Sequence, residues 1–242
     1  MKTQIGTFLS IGSPTIAELA ALSGFDWVLI DLEHGNASEA AVADQLRALR
    51  GSKTRGIVRV GAPHADLIAR VLDWGAHGIM IPHVGSAAAA EAIVQAAYYA
   101  PRGHRGYSRT VRAHEFGLRT AEKTPAPIIM AQIESVEGVK HAAEIARVDG
   151  IDVLFVGPAD LQHDLTHRAA EAPGDFAECL RLVVAAAKGE GKQAGILARD
   201  LAAVPHYLEQ GFTHVASDSD LAILRNAYRQ ILSVAKNESH PQ

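Results

Sequence analysis

Short apolar runs recur along the chain, and most are followed by a longer stretch in which apolar residues return every three or four positions. The runs are too short for helices and read as buried strands; the longer stretches read as amphipathic helices. Strands are predicted over Ile5–Ile11, Trp27–Asp31, Gly56–Val60, Gly78–Pro82, Ile128–Ile133, Val153–Val156, Gln193–Leu197 and Thr213–Ser217. Helices are predicted from Pro14 to Leu22, from a Ser38 cap to Leu49, from His64 to Trp74 and from a Ser86 cap to Ala97. Further helices are expected over Ser135–Arg147, Pro173–Gly189, Asp200–Gln210 and Asp220–Ala235. The segment from Pro101 to Pro127 is rich in Arg and Gly, partly helical at most, and long for a connection, which marks it as a functional loop. The polar tail from Lys236 is expected to fray.

Eight strand–helix units follow one another with no break in composition. Alternating strands and helices predict a parallel sheet with helices outside it. Eight units in a chain of this length predict an α/β fold, the closed (β/α)8 TIM barrel, as a single domain over residues 1–242. An open doubly wound sheet is the alternative, but no GxGxxG turn opens a helix after a strand.

Composition narrows the partners. The 242 residues are 48% hydrophobic, enough for a barrel-sized core, and the formal charge is only -4. The 23 basic residues are dispersed apart from a concentration between Arg102 and Arg119, so neither a nucleic-acid nor a membrane partner is expected. No apolar run approaches the ~20 residues of a membrane span. The first residues lack the apolar core of a signal peptide. The single cysteine, Cys179, excludes an intrachain disulfide and points to a cytoplasmic setting. Its place on the apolar side of a helix makes it a packed thiol.

In a barrel, chemistry sits where strands end at their carboxyl side. The fifth strand delivers Gln132 and Glu134 there, with Ser135 as the cap of the next helix. The sixth ends in Gly157-Pro158-Ala159-Asp160. A carboxylate at the end of a buried strand must be paired, protonated or bound to a cation. Glu134 and Asp160 together suit a hard divalent ion such as Mg2+ or Mn2+, with open positions for a chelating substrate. The alternative is that both carboxylates cap helices. The Gly157–Asp160 turn is expected to aim backbone N–H groups at an anion.

The second strand ends in Asp31-Leu32-Glu33-His34-Gly35. Asp31 can orient His34 and raise its basicity for proton transfer. Glu33 is left between that chemistry and pairing with a nearby arginine. Arg59 ends the third strand and must find an anion, because its guanidinium stays charged. It reads as a clamp on a substrate carboxylate or oxyanion, as an internal partner of Glu33 or Glu134, or as both. His83, after the fourth strand, is open between proton transfer and packing beside the ion. The Ser217-Asp218-Ser219-Asp220 run reads as capping for the last helix. No lysine falls at a strand's carboxyl end, which disfavours a Schiff-base mechanism.

Six motifs occur in one order: Asp31-Leu32-Glu33-His34-Gly35, Arg59, Gly78-Ile79-Met80-Ile81-Pro82-His83-Val84, Pro101-Arg102-Gly103-His104-Arg105-Gly106, Gln132-Ile133-Glu134 and Gly157-Pro158-Ala159-Asp160-Leu161. That ordered set resembles the class II pyruvate aldolases of the HpcH/HpaI family, the 2-keto-3-deoxy sugar acid and 4-hydroxy-2-oxoheptanedioate aldolase group, over essentially the whole chain. The resemblance implies a (β/α)8 barrel whose last helix is exchanged between subunits of trimer-based homohexamers. It implies reversible cleavage of 4-hydroxy-2-oxo acids to pyruvate and an aldehyde, with oxaloacetate decarboxylation at the side. It implies a divalent metal (Mg2+, Mn2+ or Co2+) on Glu134 and Asp160, and pyruvate bound by Arg59, Gln132 and the amides of Gly157, Pro158 and Ala159. His34 with Asp31 would activate water as the base. Gly35-Asn36 stands where many relatives carry Ala-Pro, which bears on the acceptor aldehyde. The rival readings are a CoA-thioester lyase of the citrate-lyase-β type and a non-catalytic metabolite-binding barrel.

Overall fold

Side chains alternate along each strand, and the two faces go to different places. In β2 (Trp27–Asp31), Trp27 and Leu29 point inward while Val28 and Ile30 meet the helices. The same alternation fills the barrel with Phe8, Ile57, Met80, Met130, Val153, Phe155 and Ala216. Each such side chain contributes about 1.5–3 kcal/mol when fully buried. The structure, a computed structural model, describes residues 2–237. Its eight strands are β1 (Gln4–Leu9), β2, β3 (Arg55–Arg59), β4 (Gly78–Ile81), β5 (Ile128–Ile133), β6 (Val153–Val156), β7 (Gln193–Ala198) and β8 (His214–Ser219). They pair in parallel, in chain order, and close between β8 and β1. The (β/α)8 barrel is therefore the fold.

The helices lie outside: α1 (Pro14–Leu22), α2 (Glu39–Ala48), α3 (Ala65–Asp73), α4 (Ala87–Ala97), α5 (Val136–Lys140), α6 (Ala142–Arg147), α7 (Pro158–Arg168), α8 (Phe176–Gly189), α9 (Val204–Gln210) and α10 (Asp220–Asn237). Ser86 and Ser135 cap as expected, accepting from Ala89 N–H and Gly138 N–H. Ser38 stands at the start of α2 but its side chain accepts no cap bond. The helix expected over Ser135–Arg147 breaks at His141 into α5 and α6. Helix α8 starts at Phe176 rather than Pro173, on Asp175, which accepts from Glu178 N–H. The Arg- and Gly-rich segment carries only short 3-10 turns, Arg112–Gly117 and Ala121–Lys123.

The largest departure is α7, which was expected only as a turn at its start. Strand β1 also stops early, at Leu9. The next two N–H groups, of Ser10 and Ile11, donate to the carboxylate of Asp220 at 2.8 and 3.1 Å instead of continuing a ladder. That bond pulls the mouth of β1 onto the start of α10. Of the tail expected to fray, residues 238–242 lie outside the described part of the chain. Among the described residues no helix is long and apolar enough to cross a membrane.

Candidate active site

The register of β2 and β3 places Asp31 directly opposite Arg59. Both continue the inward face, after Leu29 and Ile57, and both emerge at the carboxyl end. Arg59 Nε and Nη2 donate to Asp31 Oδ1 and Oδ2 at 2.9 and 2.7 Å. Its Nη1 lies 2.9 Å from Glu33 Oε2, and its guanidinium stands over the Phe8 ring at 5.3 Å. Asp31 is 2% exposed and Arg59 6%. Burial alone would raise the Asp31 pKa, but Arg59 and two N–H groups outweigh it and hold the carboxyl below its ordinary value. Burial likewise opposes the Arg59 charge, and Asp31, Glu33 and Glu134 together more than restore it.

The pair expected between Asp31 and the His34 ring is not brought together. Asp31 Oδ1 accepts the backbone N–H groups of Glu33 and His34, at 3.0 and 3.2 Å, so it fixes the turn and not the imidazole. The His34 ring is exposed, and the carboxylate beside it is Glu33, 3.9 Å from Nε2. Glu33 is a hub: it touches Arg59, His34 and, at 3.5 Å, His83 Nε2. The tightness of this turn needs Gly35, where a Cβ would come within 2.1 Å of the Asp31 carbonyl oxygen.

Glu134 leaves the end of β5 and is 4% exposed. Its Oε1 accepts the His83 backbone N–H at 2.7 Å and lies 2.9 Å from His83 Nδ1. Its Oε2 accepts from Gln132 Nε2 at 2.5 Å. Burial raises the Glu134 pKa; the His83 contacts oppose that, and the carboxylates of Asp160 and Glu33 add to it. His83 holds this position with φ 57°, a left-handed conformation that costs a non-glycine residue about 1–3 kcal/mol.

Asp160 is not at a strand-end turn but in the first turn of α7, where it is exposed. This changes which amides of the Gly157–Asp160 segment are free. The Gly157 N–H donates to the Ile133 carbonyl at 3.1 Å, and Pro158 has no N–H. The unengaged donors are those of Ala159 and Asp160, at a helix N-terminus that favours an anion. Gly157 serves by its lack of a side chain: a Cβ there would lie 2.6 Å from Glu134 Oε2 and 2.8 Å from Gln132 Nε2.

Asp31, His34, Arg59, Gln132, Gly157 and Asp160 help to line a cavity of about 140 Å³. A larger cavity, about 440 Å³, lies away from the strand carboxyl ends, between α2, α3 and the Arg112–Gly117 turn. We assign the chemistry to the smaller one because the charged strand ends converge there. The donor set fits a hard cation: Glu134 is a buried carboxylate crowded by Asp160, and Gln132 Oε1 is buried with no partner. Among the described residues no three His, Cys, Asp or Glu side chains gather as a metal cluster. Sequence reasoning missed Phe8, Ser10, Phe155, Leu197, Arg199, Asp218 and Ser219 as site residues, and they complete the wall.

The (β/α)8 barrel brings Arg59, Gln132, Glu134 and Asp160 to the carboxyl ends of its strands, and the proteins it resembles are aldolases, which are carbon–carbon lyases. The chain belongs to the HpcH/HpaI aldolase/citrate lyase family, whose model matches residues 4–227. It is 35% identical over 238 residues to the 5-keto-4-deoxy-D-glucarate aldolase of Klebsiella pneumoniae, covering 97% of this chain and 93% of that one. A solved HpcH/HpaI aldolase/citrate lyase family protein from Burkholderia cenocepacia superposes with a TM-score of 0.90 at 35% identity, covering 97% of this chain and 95% of the other. An HpcH/HpaI aldolase from Desulfitobacterium hafniense superposes at 0.89 with 28% identity, over 97% and 93%.

Proposed function

We propose that this chain cleaves 4-hydroxy-2-oxo acids reversibly to pyruvate and an aldehyde, and decarboxylates oxaloacetate through the same enolate. The observation that carries the reading is the buried Glu134, made costly by burial and by Asp160, beside a guanidinium already held in place. Glu134 and Asp160 would hold the divalent ion, which supplies, when bound, positive charge for the ketone oxygen of the 2-oxo acid. A guanidinium has five N–H donors. Three of those on Arg59 face Asp31 and Glu33, leaving one each on Nη1 and Nη2 for the pyruvate end. These donors are preorganised, so they stabilise enolate charge without reorienting. The Ala159 and Asp160 amides receive the substrate carboxylate, and Gln132 turns its unpartnered Oε1 toward substrate or water. His34, exposed at the mouth, moves the proton of the 4-hydroxyl group. Asp31 places His34 through its backbone, and Glu33 is the carboxylate nearest its ring, at 3.9 Å.

Exhaustive treatment with a chelator tests the metal requirement. Activity is expected to vanish and to return with Mg2+, Mn2+ or Co2+. Full activity after chelation, or inactivation by borohydride in the presence of pyruvate, would overturn the reading.

Exposed apolar side chains on α10 support helix exchange within a trimer-based hexamer: Leu221, Tyr228 and Leu232 share one face, and Ile223 and Ile231 are exposed elsewhere on the helix. Light scattering on the eluting protein should give six times the 25.7 kDa chain mass; a monomer mass would rule exchange out. The lone, buried Cys179 accords with a cytoplasmic location, which fractionation of the source cell tests.

A further inference from the structure

Helix α7 has little apolar surface to hold it. Of its 11 residues only Leu161 is buried, and Leu165 packs partly against the core. Its polar face is broad, and two histidines stand on it four positions apart, His163 and His167. Residues at that spacing lie one above the other on a helix. The two rings have their centroids 4.5 Å apart, inclined at 50°, and both side chains are exposed.

One hydrogen bond distinguishes this pair from two solvated side chains. His167 Nδ1 lies 2.9 Å from the His163 carbonyl oxygen. A carbonyl oxygen can only accept, so Nδ1 carries the proton and donates it. In the neutral ring the lone pair is then on Nε2. Histidines that ligate metals are ordinarily fixed in this way, by giving the other ring N–H to a carbonyl or a carboxylate. His163 supplies a second imidazole one turn earlier. Two histidines four apart on one helical face are the spacing that holds zinc in helical metal motifs. Imidazole suits Zn2+, Cu2+ and Ni2+, whereas carboxylates and water suit Mg2+ and Mn2+. The neighbouring cation, Arg168, is offset by Glu171 and Asp164, at 2.6 and 3.9 Å.

We propose that His163 and His167 chelate a transition ion, Cu2+, Ni2+ or Zn2+, and that the bound ion clamps α7. Water completes the coordination. The site differs in donor chemistry from the Glu134 and Asp160 pair, and it stands independently of the aldolase reading. A chelate across two turns forms only while those turns are helical, so binding stabilises them. The clamp bears on the catalytic cavity because Asp160 lies in the first turn of the same helix, three residues before His163 and on the same side.

Calorimetric titration of the whole protein with Ni2+, in excess Mg2+, tests the site and needs no substrate. Wild type should bind one Ni2+ that His163→Gln and His167→Gln each weaken about tenfold or more. The double variant should lose little further, because either single loss already breaks the chelate. Both side chains are exposed and the His167 bond stays within α7, so thermal unfolding of the variants without Ni2+ should match wild type. Hydrogen exchange reads the clamp: Ni2+ should slow exchange of the α7 amides in wild type and leave those of His163→Gln unmoved. An affinity unchanged in either single variant would place the ion elsewhere and overturn the proposal. Binding that leaves α7 exchange unmoved in wild type would overturn the clamp.

Discussion

Arg59 shows how a single residue is held ready. Arg59 is 6% exposed, and two carboxylates hold its guanidinium, Asp31 at the Nε and Nη2 edge and Glu33 at Nη1. The pairing is costly to desolvate, and removing one partner would leave a buried charge uncompensated. Lysine keeps the charge but not the fork, so it cannot donate in parallel to both Asp31 oxygens. Arg59→Lys should lower stability by about 1.5–3 kcal/mol, the cost of charged hydrogen bonds left unmade. It should also lower kcat/KM for oxaloacetate decarboxylation by about 100-fold or more, as loss of one oxyanion donor does elsewhere. Urea unfolding and steady-state kinetics check the two effects separately. A variant with normal kinetics and reduced stability would make Arg59 a structural residue only. His83 and Asp218 add strain at the same rim, each a non-glycine residue with positive φ at a strand's end.

At the scale of elements, legibility followed the hydrophobic pattern. Eight strands were readable because each is a short apolar run with a breaker on either side, and buried parallel strands have little else to show. Helix α7 was not readable that way. In Pro158–Arg168 only Leu161 is buried, so its apolar stripe is a single position. Its signs lay elsewhere: proline at its first position and Asp160 in its first turn, both ordinary at a helix start. Reading those signs would have moved Asp160 from turn to helix, and proline itself offers no N–H; that the Gly157 N–H is taken by the Ile133 carbonyl is visible only in the fold. Arg59 and Glu134 were legible in the site because a charge ending an apolar strand demands a partner. Its partners were legible in part. Arg59 was left between Glu33, Glu134 and substrate; the structure pairs it with Glu33 at 2.9 Å and adds Asp31, the residue assigned to His34. That choice depends on inter-strand register, which places Asp31 opposite Arg59 and no single-chain pattern prints. Arg199 was within reach: alternation through Gly195 and Leu197 points to it, once β7 is read to its end.

For the whole molecule, the end of the barrel away from the chemistry sets its response to acid. His214 begins β8 there, 5% exposed, with its ring 6.3 Å from that of Trp27. Burial first, and Arg55 after it, lower its pKa from 6.5 to about 4, with Asp26 opposing. The folded protein therefore keeps His214 neutral where the unfolded chain would protonate it. More protons bind to the unfolded state between those two values, so stability is full above about pH 6.5 and falls as pH drops toward 4. From pH 7 to pH 5 the loss from this one residue is about 2 kcal/mol. Glu134 and Asp152 run the other way, because burial raises their pKa and acid relieves them. The contribution of His214 is thus read as a difference between proteins. His214→Gln cannot titrate, and its unfolding free energy should change less between pH 7 and pH 5 than that of wild type, by about 2 kcal/mol. Parallel pH curves for the two proteins would show that protonation of His214 does not limit the barrel. Because His214 lies at the end opposite Arg59 and Glu134, the same substitution should shift acid stability without moving the pH profile of catalysis.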